Sequence, residues 1–222
     1  MYEFSIILED TYKHRGMRKQ LVKEVASKGI KSRAVLEAIG KVPRHFFFEK
    51  IFDSHAYEDK AFPIGEGQTI SQPYTVAFQT ELLQVKPGNK ILEVGTGSGY
   101  QATILLELGA KVFTIEYQKK LFEKTTKFLP SMGYKANFYQ GDGSKGLQEK
   151  APYDGILVTA GAPTVPEELI KQLKVGGRLV IPVGDNKKQK MVLIHKVSRT
   201  KLTKEAFDHF SFVPLLGEKG WQ

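Results

Sequence analysis

Three glycines spaced two apart, Gly95, Gly97 and Gly99, close a short apolar run and precede a helical pattern, with carboxylates before and after them. A strand that feeds such a turn into a helix aims backbone N–H groups and a helix N-terminus at one point, and glycine admits close ligand approach and positive φ. The full turn reads Glu93-Val94-Gly95-Thr96-Gly97-Ser98-Gly99. A dinucleotide site usually carries its third glycine one place later to seat a pyrophosphate, so this spacing fits that ligand less well. Glu116 follows Gly95 by 21 positions. At a strand end it can accept from both hydroxyls of a ribose; alone it would read as a solvent-facing acid, and its register with the turn favours the ribose. Asp142, in Gln140-Gly141-Asp142-Gly143-Ser144, can accept from an adenine amino group or simply form an Asp-Gly turn. Glu93 either accepts from loop N–H groups or meets the ligand's amino group. These residues specify an adenosine-containing ligand without choosing a reaction.

The elements that must position them follow a β-α-β rhythm. Strands are expected at 90–94, 111–116, 136–139 and 155–159, with helices at 100–108, 119–129 and 167–173, the middle one closed by Pro130 and Gly133. Gly176-Gly177 leads into a strand at 178–183. The polar turn 184–188 is too short for a crossover helix, so the run 191–197 should pair antiparallel with the strand before it. The expected fold is α/β: a doubly wound, mostly parallel Rossmann-like sheet with an antiparallel pair at one edge. Before it, helices at 17–26, 32–39 and 75–85 and an irregular segment at 62–71 form a helical cap. This divides the chain into a cap and substrate segment, 1–88, and a cofactor-binding core, 89–222, in one integrated domain.

Charge and composition bound the function. There are 33 Lys and Arg against 24 Asp and Glu, a formal +9, and no cysteine. A positive field invites polyanions, but the basic stretches 13–33 and 187–204 are interleaved with apolar residues and read as solvated faces. Without cysteine there are no disulfides or thiolate metal sites, and no histidine spacing suggests a metal. The first ten residues lack the basic start and long apolar run of a signal peptide, and no stretch reaches membrane-spanning length. A cytoplasmic protein with no metal, nucleic-acid or membrane partner is expected, and a monomer.

The segment Ile91 to Gln101 resembles the first motif of class I methyltransferases. More narrowly, the chain is similar to the protein-L-isoaspartate O-methyltransferase family, through Val42-Pro43-Arg44-His45-Phe46, Gly67-Gln68-Thr69-Ile70-Ser71-Gln72-Pro73, Val158-Thr159-Ala160, Gly177 to Gly184 and Phe212-Val213-Pro214-Leu215. These run in family order from about 17 to 217. Gly161 departs from the alanine common there. The resemblance implies methyl transfer from S-adenosylmethionine to the free α-carboxylate of an isoaspartyl residue in damaged proteins or peptides, with repair proceeding through a succinimide. Glu93, Gly95, Thr96, Gly97, Ser98, Gly99, Glu116, Asp142, Gly143 and Thr159 would then hold the cofactor. Ser71 would donate to the acceptor carboxylate, and Ile70, Gln72, Val213 and Pro214 would contact the substrate chain.

That chemistry suits what is missing. No Ser-His-Asp or Cys-His arrangement is arguable from the spacing, and a carboxylic acid with a pKa near ~4 is already an ionised nucleophile at neutral pH. Orientation then carries catalysis. Outside the resemblance Ser71 reads as the N-cap of the following helix, and Val213-Pro214 as an edge-strand terminator. His45 reads as structural. Two rivals remain: another class I methyltransferase acting on RNA or a small molecule, for which the absent Pro-Pro pair disfavours one large base-methylating group, and a non-catalytic adenosine- or RNA-binding module.

Overall fold

The structure is a computed structural model that describes residues 9–221. The acid-flanked apolar run at 4–8 lies outside the described residues. Along the chain come α1 (Tyr12–Ser27), α2 (Arg33–Lys41), β1 (Phe62–Gly65), β2 (Gln68–Ile70), α3 (Pro73–Leu83), β3 (Lys90–Val94), α4 (Tyr100–Glu107), β4 (Lys111–Glu116), α5 (Lys119–Ser131), β5 (Asn137–Gln140), β6 (Tyr153–Val158), α6 (Glu167–Lys171), β7 (Leu173–Gly184), β8 (Gln189–Lys196) and β9 (Leu202–Phe210). The seven-stranded sheet has the order β5-β4-β3-β6-β7-β8-β9. Strands β5 to β7 run parallel, β8 is reversed, and β9 pairs antiparallel with β8. The expected α/β class and the reversed strand are both present.

Alternation along the strands divides the core into two layers. Ile91, Leu157 and Val180 face a cluster built with α1 to α4, while Leu92, Ile156, Val158, Leu179 and Ile181 face the layer that holds Leu169 of α6. The cap helices share the first cluster, since Val25 and Ile39 belong with the sheet residues. In α4 the residues from Tyr100 to Leu105 are all buried, because the helix lies under α2 as well as on the sheet. Truncating a fully buried Leu105 or Ile104 to alanine would cost about 2–5 kcal/mol.

The differences from expectation have local causes. Helix α1 starts at Tyr12 rather than 17, because Thr11 and His14 cap each other reciprocally, a histidine replacing the usual acid of a capping box. Pro130 falls inside the last turn of α5, which ends where Gly133, at φ 85, lets Gly133 N donate to Pro130 O and Tyr134 N to Leu129 O. Helix α6 stops at Lys171 and β7 already starts at Leu173, running through Gly176-Gly177. The segment 62–71 is a small antiparallel hairpin, β1–β2. Strand β9 was not expected, since its residues are mostly exposed and polar. Among the described residues no helix is long and apolar enough to cross a membrane.

Candidate active site: two clefts that meet

The sheet's carboxyl edge carries the site. Hydrogen bonds prolong the parallel ladder past the strand ends: Gly95 N donates to Ile115 O (2.9 Å), Gly141 N to Glu116 O (2.9 Å) and Thr159 N to Val94 O (3.0 Å). Gly95, Glu116, Gly141 and Thr159 are therefore set side by side. All three turn glycines are left-handed, at φ 96, 52 and 86. A Cβ on Gly95 would stand 2.4 Å from Thr159 Oγ1, the hydroxyl that donates to Val94 O (3.0 Å) and Gly95 O (2.7 Å). Glu116 tethers the loop: Oε2 accepts from Gly97 N and Oε1 from Gln118 N, each at 2.8 Å.

A first cleft of about 460 Å³ opens here, lined by Gly95, Thr96, Gly97, Ser98, Glu116 and Thr159 from the expected cofactor set. Gln68, Thr69, Tyr100, Gln101 and Ala160 line it too and were not foreseen. Tyr100 and Gln101 follow the last glycine directly, so the helix-start logic that selected Ser98 could have reached them. Tyr100 Oη and Gln101 Oε1 are buried without a partner among the described residues, acceptors and donors left over for a polar ligand.

Four expected cofactor residues lie outside the cleft wall. Gly99 packs on α5, where a Cβ would meet Leu129 Cδ1 at 2.3 Å. Gly143 is buried, and its Cβ would meet Val94 Cγ1 at 2.5 Å. Glu93 is fully buried beneath the turn, and Oε2 accepts from the Thr114 hydroxyl (2.5 Å), which also meets Thr96 Oγ1 at 2.6 Å. Burial pushes its carboxyl up to about 8. Neither loop N–H groups nor the cleft reach it directly; it acts through Thr114 and Thr96. Asp142 accepts at Oδ1 from Ser144 N and Oγ and at Oδ2 from Glu218 N (2.8 Å). Partial burial works to raise its pKa, and the Ser144 and Glu218 hydrogen bonds outweigh that and hold it below the ordinary value.

A second, wider cleft of about 1210 Å³ shares Thr69, Ser71, Thr159 and Val213 with the first. Lys28, Tyr74, Lys188, His209, Phe210 and Phe212 form its far walls. The basic stretches thus place two lysines at this cleft. Of the expected substrate residues, Gln72 and Val213 line it. Ile70 is buried and faces the first cleft, and Pro214 lines neither, pairing instead with Gly161 in a short bridge.

Ser71 sits at the junction. Its hydroxyl makes no hydrogen bond within the protein among the described residues, and it does not cap α3: the N-cap is Gln72, and Tyr74 N donates to Asp59 Oδ1 at 2.7 Å. The capping alternative is therefore set aside, because the helix begins one residue later and Asp59 occupies the capping position. His45 is structural, with Nδ1 on Tyr57 Oη at 2.6 Å and its ring stacked on His14.

Comparison with known proteins decides the family. Residues 16–220 match the model described as protein-L-isoaspartate(D-aspartate) O-methyltransferase (PCMT). The chain belongs to this family. A protein-L-isoaspartate O-methyltransferase of Cytophaga hutchinsonii is 60% identical over 96% of this chain and 97% of its own. One from Christiangramia forsetii is 58% identical over 96% of this chain and all of its own. Among solved structures, a protein-L-isoaspartate O-methyltransferase superposes with TM-score 0.81 at 30% identity, over 91% of this chain and 66% of that longer one. A PCMT from Plasmodium falciparum, in complex with S-adenosyl-L-homocysteine, gives 0.76 at 25% identity over 90% and 98%. The family match covers the residues that line both clefts.

Proposed function

We propose that this chain methylates the free α-carboxylate of L-isoaspartyl residues in damaged proteins and peptides, using S-adenosylmethionine, with the first cleft holding the cofactor and the second the substrate chain. The observation that carries the assignment of the clefts is their meeting at Ser71, Thr69, Thr159 and Val213. An adenosine ligand fits the acceptors present. An ionised carboxylate offers about four lone-pair sites. Glu116 spends two on Gly97 N and Gln118 N, leaving one on each oxygen for the two ribose hydroxyls. Asp142 spends three, leaving one on Oδ2 for an adenine amino group. Both Gly95 and Gly97 are left-handed, and a Cβ on Gly95 would collide with the Thr159 hydroxyl, so the turn keeps its shape only without these side chains.

When bound, S-adenosylmethionine supplies an electrophilic methyl group on a sulfonium. The protein's part is orientation and exclusion of water. Ser71 Oγ, free of protein partners, donates to the acceptor carboxylate and fixes which oxygen faces the first cleft; no general base is required, because the acceptor is ionised at neutral pH. Gln72 and Val213 flank it, and Lys188 favours an anionic group in the second cleft, Lys28 being paired with Glu24 and Asp59. Main-chain contacts along Val213 tolerate varied peptide sequences. The same reading takes 1–88 as cap and substrate segment and 89–222 as the cofactor core of one integrated domain, supported by the shared cluster of cap and sheet residues. It takes the protein as a cytoplasmic monomer without a nucleic-acid partner.

The test is a matched pair of peptides, isoaspartyl and aspartyl, with labelled S-adenosylmethionine. Label on the isoaspartyl peptide alone is expected. Equal label on both, or label on RNA and on neither peptide, would sink the proposal.

A further inference from the structure

The chain at and just after Ser71 is gripped by two buried side chains that line neither cleft. Arg44 is fully buried. Its Nη1 donates to Ala56 O at 2.5 Å, and its Nη2 to Lys60 O at 3.1 Å and to Ser71 O at 3.0 Å. The guanidinium lies 4.8 Å from the centre of the Phe48 ring and 5.4 Å from that of Tyr100, a wall of the first cleft. The Asp59 side chain is 1% exposed. Its Oδ1 accepts from Tyr74 N, and its Oδ2 from Gln72 Nε2 (3.0 Å) and Lys28 Nζ (2.5 Å).

The chemistry of this arrangement is specific. A buried cation is costly unless its donors are met, and no carboxylate pairs with Arg44 among the described residues. Burial lowers its pKa to about 10, so it remains charged at neutral pH. Three carbonyls, two from the 56–60 stretch and one from Ser71, meet a planar fork that a lysine cannot reproduce, because an ammonium reaches them as a single point. An apolar residue would fill the space without the cost. The retained charge ties the chain carrying Ser71 to the 56–60 stretch of the cap, while Asp59 fixes Gln72 and Tyr74.

We propose that Arg44 and Asp59 are positioning residues for methyl transfer: they clamp the Ser71 carbonyl and the chain that follows it, and so hold the Ser71 hydroxyl at the junction of the two clefts. This rests on the reading of Ser71 as the group that orients the acceptor. Neither residue touches cofactor or substrate, so their effect passes through Ser71 and appears in turnover.

The experiment is a double-mutant cycle with an isoaspartyl peptide, using Arg44→Lys, Ser71→Ala and the double variant, with S-adenosylhomocysteine affinity measured for each. Arg44→Lys is expected to lower kcat about 10- to 100-fold, as a misplaced reacting geometry does, with cofactor-product affinity held within about twofold. In the Ser71→Ala background the same change should cost less than about threefold, since the group it positions is gone. A full multiplicative loss in that background overturns the clamp and leaves the role of Ser71 intact. Wild-type kcat in Ser71→Ala alone ends the reading of Ser71 and the clamp with it. Unchanged kcat in Arg44→Lys, or equal losses of kcat and affinity, also overturns it. If Arg44→Lys does not fold, Asp59→Asn in the same cycle decides on the same criteria, because it keeps the volume and weakens the second grip; Lys28, which loses its Asp59 partner, keeps Glu24.

Discussion

The two clefts are built in opposite ways. The cleft proposed for the cofactor is concentrated on one sheet edge, where consecutive strand ends, three left-handed glycines and a tethering Glu116 are locked by backbone hydrogen bonds. The cleft proposed for the substrate is assembled from the cap, the β1–β2 hairpin, the end of β9 and the 211–213 segment. Side chains such as Gln189 hold it: Nε2 donates to Asp185 O and Oε1 accepts from Phe212 N at 2.8 Å. Local damage should therefore separate the two functions, cofactor affinity failing with the turn and substrate affinity with the bracing side chains.

The largest separation is expected at Gly95→Ala. A left-handed alanine costs about 1–2 kcal/mol, and its Cβ collides with the Thr159 hydroxyl, so the turn moves off its ligand-competent position. Calorimetry should show S-adenosylhomocysteine affinity falling by up to about a hundredfold, the equivalent of roughly 3 kcal/mol. Unchanged affinity would break the comparison. Next is Gln189→Ala, which orphans Phe212 N at about 1–3 kcal/mol and lets the 212–213 segment drift. Peptide KM should rise about tenfold by steady-state kinetics while cofactor affinity stays level; a matched loss of both would merge the two clefts.

The smallest effect near neutral pH is expected at Glu93→Gln, a test of how the cofactor turn is supported. The folded carboxyl titrates at about 8, above an unfolded value near ~4.3, so folding takes up a proton between them. Its contribution to stability is fully present below the unfolded pKa and is lost as pH rises through about 8. Urea unfolding should show wild type losing roughly 1 kcal/mol per pH unit relative to Glu93→Gln between pH 6 and pH 8. A constant difference would contradict the buried, neutral state.

The same contrast explains what the sequence made legible. That Gly95, Gly97 and Glu116 share one edge was readable because a strand, a glycine turn and a carboxylate at the next strand end are near-neighbours in sequence, and parallel pairing turns their spacing into position. Gly99 and Gly143 were legible as special but not in their reason, which is close packing against Leu129 and Val94 from other elements. The substrate side was legible mainly through resemblance. Strand β9 shows almost no apolar alternation because one face and one edge meet solvent, and the hairpin β1–β2 hides behind Gly65, Glu66 and Gly67, all at positive φ. Arg44 reads as an ordinary basic residue until the three carbonyls around it are seen. Gly161, the departure from the family's alanine, has a physical account: a Cβ would stand 2.8 Å from Gln189 Cδ, and its backbone carries Val213, Leu215 and Trp221.

The claim that the clefts meet at a hydroxyl acting on the acceptor is tested most directly by Ser71→Ala. Turnover with an isoaspartyl peptide and calorimetric binding of S-adenosylhomocysteine should be measured on one folded preparation. The prediction is a fall in kcat of about tenfold or more, in line with lost orientation, with affinity for S-adenosylhomocysteine unchanged. Unaltered kcat, or a loss of affinity as large as the loss of turnover, would contradict it.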